Sequence, residues 1–190
     1  MRYGFTTGSC SAAAAKAAAY MLLIGGKKEQ IEIETPKGIL YRTEIEKIKR
    51  GPGEVSCAVK KDGGDDPDVT SGMYIYATVT LIEENLRQKD TVQIDIDGGV
   101  GIGRVTKPGL DQPVGAAAIN HVPREMIQKE VKEVCEAADF RGHLKVCIWS
   151  PTGEEVAKQT FNPRLGIEGG ISIIGTSGIV EPMSMQALLD

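Results

Sequence analysis

The sequence is short of aromatics, of histidine and of clustered positive charge, and each shortage removes a class of function. Phe, Trp and Tyr make up 5% of its 190 residues, and His occurs twice. The four cysteines, Cys10, Cys57, Cys135 and Cys147, are scattered without a C-x-x-C pair. The paired soft ligands of a structural zinc site are therefore missing, and no metal site is expected. Lys and Arg number 22 against 26 Asp and Glu, a net charge of −4. A partner gripped through phosphate neutralisation needs a basic excess, so no nucleic acid is expected. No run approaches the roughly 18 apolar residues that cross a bilayer, so no membrane partner is expected either. The N-terminus lacks a basic-then-apolar signal pattern. The expected location is the cytoplasm, where scattered cysteines stay reduced.

What the sequence has in excess is glycine, 23 residues, well above the ordinary usage of about 7%. With 41% hydrophobic residues the chain can still build a core, and its glycines fall in clusters between apolar runs. Ser9–Ile24 is predicted as a helix, alanine-rich, capped by Thr7 or Ser9 and stopped by Gly25-Gly26. Its small face implies close approach to a sheet or a ligand. Period-two alternation predicts a hairpin over 30–35 and 39–48, then strands over 54–60, 73–83 and 91–97. Pro123 opens a second helix with Met126, Ile127, Val131, Val134 and Cys135 as its apolar stripe, and Leu144–Trp149 reads as a buried strand. Strands and helices do not alternate regularly, so the expected class is α+β, a mixed or antiparallel sheet with two long helices and glycine-rich loops. Residues 1–183 are expected to form one lobe. Residues 184–190, capped by Ser184, start a helix too short to stand alone, which implies a lobe beyond it.

Four motifs carry candidate chemistry. In GFTTGSCSAAAAKAA the turn Thr6-Thr7-Gly8-Ser9 feeds a helix, so hydroxyls and free N–H groups converge where the dipole favours an anion. The same residues also make an ordinary capped helix. In KDGGDDPDVTSG, Asp62, Asp65, Asp66 and Asp68 either face a cationic ligand group or cap their own backbone N–H groups, a solvated loop being favoured over a divalent-cation site because the spacing is not that of an EF-hand. The stretch DIDGGVGIGRVTKPG follows a strand without opening a helix, so it is not a dinucleotide loop. Gly101 and Gly103 either let backbone pass a ligand, with Arg104, Thr106 and Lys107 beside it, or bulge a hairpin. In FNPRLGIEGGISIIGTSGIVEPMS, Gly175, Thr176, Ser177 and Gly178 form either an anion nest or a tight strand connection, with Asn162 and Arg164 nearby. Asn120 precedes the second helix. No Ser-His-Asp or Cys-His relay can be assembled, so no catalytic residue is assigned. Cys10, at a helix N-terminus, is either a reactive thiol or a small buried residue.

Together these clusters, with AAAINHVPREM, resemble the cobalt-precorrin-5B C1-methyltransferase family (CbiD) of anaerobic cobalamin biosynthesis, in the family's order and over nearly the whole chain. Two departures stand out. The family usually carries Glu-Pro-Ala where this chain has Ala116-Ala117-Ala118, and Pro where His121 stands. The resemblance implies an N-terminal lobe of an enzyme that moves a methyl group from S-adenosylmethionine to C1 of cobalt-precorrin-5B, giving cobalt-precorrin-6A. It implies that cobalt belongs to the substrate and that the partner is a small corrin precursor; a homo-oligomer is compatible with it. The substrate's carboxylates would suit Thr6, Thr7, Arg104, Lys107 and Arg164. The acidic loop would face the donor's sulfonium or amino group. Two other readings remain: a non-catalytic lobe that grips a corrinoid or polycarboxylate, and an enzyme of phosphorylated metabolites.

Overall fold

The computed structural model describes residues 2–65, 68–84 and 91–181. A two-residue strand, β1 (Gly4–Phe5), leads into α1 (Thr7–Leu23). This helix starts earlier than expected because Thr6, rather than Thr7 or Ser9, supplies the cap: its hydroxyl accepts from Ser9 N at 3.1 Å. It ends at Ile24, where Gly25 and Gly26 take positive φ of 100° and 77°. The hairpin β2 (Gln30–Glu34) and β3 (Leu40–Glu44) follows, paired antiparallel. Its second arm does not run on to residue 48 as one strand. It breaks at Ile45, and β4 (Glu46–Gly51) leaves to join another sheet. Lys47 at φ 56° and a register shift between Glu46 and Lys49 mark the bend.

The strands β5 (Glu54–Lys60), β6 (Tyr74–Glu84) and β7 (Val92–Gly98) agree closely with the alternation. A two-residue strand, β8 (Arg104–Val105), precedes α2 (His121–Ala137), which Asn120 caps by backbone geometry without a side-chain hydrogen bond. Pro123 is the third helical residue rather than the first. Its missing N–H still falls among the first-turn groups that have no helical partner. After α2 come β9 (Gly142–Trp149), two short helices, α3 (Gly153–Ala157) and α4 (Asn162–Leu165), and the strands β10 (Ile167–Glu168) and β11 (Ile179–Val180). The helix expected after Ser184 lies outside the described residues.

The main sheet has the order β4-β5-β6-β9-β7. All its neighbours are antiparallel except β7 and β9, which run parallel and are joined through α2. This is an α+β fold with one helical crossover. The alanines of α1 let it sit in the middle of the molecule: Ala12–Ala15 and Ala17–Ala19 are fully buried, packed against β5 and β6 on one side and α2 on the other. Their small size serves packing, not a ligand. Met126, Ile127, Val131, Val134 and Cys135 form the buried stripe of α2, as expected.

Candidate functional site

Three of the glycine-rich and acidic motifs meet at the N-terminal end of α1, around a cleft of about 340 Å³. Its polar side comes from the loop after β5. Val55, Cys57 and Val59 point inward from β5, and the two-residue period carries Lys61 onto the same inward face. The Lys61 side chain is only 2% exposed, and its ammonium lies 3.2 Å from Asp68 Oδ2. Asp68 also accepts from Thr70, 3.2 Å from its N–H and 2.6 Å from its hydroxyl. Partial burial alone pushes the Asp68 carboxyl up, but the Thr70 hydrogen bonds and the Lys61 ammonium outweigh it and leave it below its ordinary value of 3.8. The Asp68 carboxyl is therefore ionised at neutral pH.

The other side is apolar. Phe161, Leu165, Ile171, Ile174 and Val180 line the cleft, and three of them stay open to solvent at its mouth, Phe161 at 72%, Leu165 at 52% and Ile174 at 49%. Asn162 is buried there, its side-chain amide donating to Gly170 O at 3.2 Å. Ser172 also lines the cleft, and its buried hydroxyl has no hydrogen-bond partner among the described residues.

Of the residues expected to bind substrate or donor, Thr6, Thr7, Asp68, Asn162 and Gly175 line this cleft. The expected anion nest at the start of α1 is closed, however, because the segment 172–178 already occupies it. Gly8 N donates to Ile174 O at 3.0 Å and Thr6 N to Gly178 O at 3.2 Å. The Thr7 hydroxyl accepts from Ile174 N at 3.0 Å, and Ser9 Oγ donates to Gly178 O at 2.6 Å. Gly8 is needed because a Cβ there would come within 2.8 Å of Pro123. Ser177 is spent on the Ile179 backbone.

The remaining candidates have structural places. Arg104 pairs with Asp97 at 2.9 Å and donates to Gly98 O at 2.8 Å. Thr106 donates to Gly166 O through its N–H at 2.7 Å and its hydroxyl at 3.0 Å. What passes close to Gly101 and Gly103 is the protein's own backbone: Ile171 N donates to Gly101 O, and Gly103 N to Ile171 O, both at 2.9 Å. Asn120 N donates to Ile173 O at 3.0 Å. Asp65 accepts from Arg2 N, while Asp66 lies outside the described residues. Thr176 lines a separate hollow of about 250 Å³ beside Glu34, Glu125 and Glu130. Lys107 and Arg164 remain exposed and do not line the cleft; the Lys107 stem covers Gly166 at the end of α4, one residue beyond Leu165. Cys10 is a buried core residue whose thiol burial pushes up to about 11, so it is not activated.

Lys61, Thr70, Phe161 and Ser172 lie inside the acidic and the last glycine-rich motif, but neither motif marks them individually. For Lys61 the signal was present in the inward parity of β5. Ser172 and Phe161 carry no local mark, since only the fold brings them to Lys61.

Among the described residues no cluster of His, Cys, Asp or Glu could hold a metal ion, and no helix is long and apolar enough to cross a membrane. The CbiD family model matches residues 1–182. The whole chain is 53% identical to the cobalt-precorrin-5B C(1)-methyltransferase of Alkaliphilus metalliredigens, covering 48% of that protein. It is 54% identical to the protein of the same name from Ruminiclostridium cellulolyticum, covering 47% of it. The chain thus spans about half the length of the curated relatives it matches. A crystal structure of the cobalamin biosynthesis protein cbiD from Archaeoglobus fulgidus superposes with a TM-score of 0.71 at 31% identity, over 100% of this chain and 57% of that one.

Proposed function

Because the chain belongs to the CbiD family, we propose that it serves the C1-methylation of cobalt-precorrin-5B, with S-adenosylmethionine as the methyl donor and cobalt only in the substrate. The observation that carries this reading is the single cleft on which the start of α1, the acidic loop, α4 and the segment 171–175 converge. Methyl transfer from a sulfonium needs no protein nucleophile. The ring carbon supplies the electron pair of the new C–C bond, and the broken C–S pair stays on sulfur. The protein must align the two and keep water out, and a largely apolar cleft with a buried lysine paired to a half-exposed carboxylate suits both tasks.

The cleft's volume is near the lower end of the roughly 300–1,000 Å³ of small-molecule pockets, so a corrin macrocycle would rest across its mouth. Leu165 and Ile174 offer an apolar floor there, and Lys107 and Arg164 offer partners for peripheral carboxylates. A cytoplasmic location belongs to the same reading, in keeping with four free cysteines. Incubating the chain with methyl-labelled donor and cobalt-precorrin-5B should give a product heavier by one methylene. Corrinoid binding without transfer would favour the second reading, a gripping lobe. If neither corrinoid nor donor binds, both readings fail.

A further inference from the structure

Resting on the methyltransferase reading above, we infer that the cleft itself is the seat of the donor, with Lys61 and Asp68 taking up the carboxylate and ammonium of its amino-acid end and Phe161 taking its purine. The site is unusually costly to bury. A lysine at 2% exposure with one carboxylate partner leaves much of its desolvation unrepaid. An ammonium has three N–H donors, and among the described residues Asp68 is the one acceptor on that of Lys61. Asp68 accepts three hydrogen bonds, from Lys61 and twice from Thr70, and a carboxylate offers about four sites. Donor capacity is thus left on one partner and acceptor capacity on the other, side by side in a cavity. The Ser172 hydroxyl, buried on the same cleft without a partner, is a further unused polar group.

A lone carboxylate would meet Lys61 but also the like charge of Asp68, and a lone cation would meet the reverse. A zwitterion with both charges on neighbouring atoms, as in an α-amino acid, satisfies both. The rest of the cleft then specifies what the amino acid is attached to. Its walls are Ile171, Ile174 and Val180, and at the mouth stands Phe161, 72% exposed. A large aromatic left that open beside a cavity is a stacking surface without a partner. An amino acid joined to a purine nucleoside offers a partner to both ends.

The test compares two ligands that differ only at the amino-acid end. S-adenosylhomocysteine carries it, whereas 5′-methylthioadenosine keeps the nucleoside and thioether without it. Calorimetric titration of the chain should give tighter binding of S-adenosylhomocysteine. Lys61→Met should weaken that binding by about tenfold or more, as expected for a lost charged hydrogen bond, and leave 5′-methylthioadenosine unchanged. The unchanged ligand also reports that the variant is folded. Phe161→Ala should weaken both ligands. Absent binding of S-adenosylhomocysteine to the folded chain, or equal affinity in Lys61→Met, overturns the assignment. Methyl transfer to cobalt-precorrin-5B, assayed in parallel, separates the two ideas. Transfer with a silent Lys61→Met sinks the cleft assignment alone, whereas the expected ligand pattern without transfer sinks the activity alone.

Discussion

Glu130 sits on α2 at 3% exposure, with Lys16 as its partner at 3.4 Å and its second oxygen unpaired. Burial raises its pKa above the ordinary 4.5, and the Lys16 ammonium offsets only part of that. A carboxyl that holds its proton more tightly when folded stabilises the fold at low pH, and that contribution is lost as the pH rises through the folded pKa. Glu130→Gln removes the titration while keeping the shape. The melting temperature of the variant relative to the native chain should therefore climb as pH rises above 4.5, and a flat difference across a pH series would show that Glu130 titrates as in the unfolded chain. Lys16 keeps Glu32 O at 2.9 Å and Glu133 at 3.7 Å in either case. The 3.6-residue period of α2 marks its apolar stripe but not Glu130, which is buried with it. It lies one position before Val131, and only the packing of α1 against α2 decides that a carboxylate there is buried.

The helix α1 was legible from composition, because alanine is both the best helix former and the smallest residue that makes one. Its end at Gly25-Gly26 was legible for the same local reasons. What could not be read was that the first turn spends its N–H groups on a segment more than 160 residues later, since Gly8 N and Ile174 O meet through long-range pairing, of β1 with β11 and of Ile171 and Ile173 with Ile102 and Ile119. Local chemistry correctly marked those groups as available in isolation. The same element makes a sharp stability prediction. Cys57 Sγ donates to Ala14 O at 3.3 Å, so β5 lies directly on the α1 backbone at a fully buried alanine. Ala14→Leu has no room to expand into and should cost about 1–3 kcal/mol of stability, read as a lower urea midpoint. An unchanged midpoint would mean that the helix can slide away from the sheet.

At the scale of the whole molecule, the glycines sort into two kinds. Gly26 stands in open space at positive φ, and a side chain there meets nothing. Gly101, Gly153 and Gly170 instead form a crossing in which three distant segments touch backbone to backbone; a Cβ on Gly153 or on Gly170 would overlap Gly101 O. Composition announced the surplus of glycine but could not say which kind each one was, because the crossing joins the loop after β7, the turn after β9 and the strand-like run 171–174. That run is also a wall of the cleft, tied by Ile171 N to Gly101 O at 2.9 Å, by Ile173 N to Ala118 O at 2.8 Å and by Ile174 N to the Thr7 hydroxyl at 3.0 Å. A methyl group forced in at Gly170 cannot be absorbed by a flexible side chain, since its neighbours are backbone, and the strain must travel along the run. Gly170→Ala should accelerate hydrogen exchange at the amides of Ile171, Ile173 and Ile174, whereas Gly26→Ala, strained only locally by about 1–2 kcal/mol, should leave those amides as they are. Equal protection of the three amides in both variants would show that the crossing yields without moving the cleft wall.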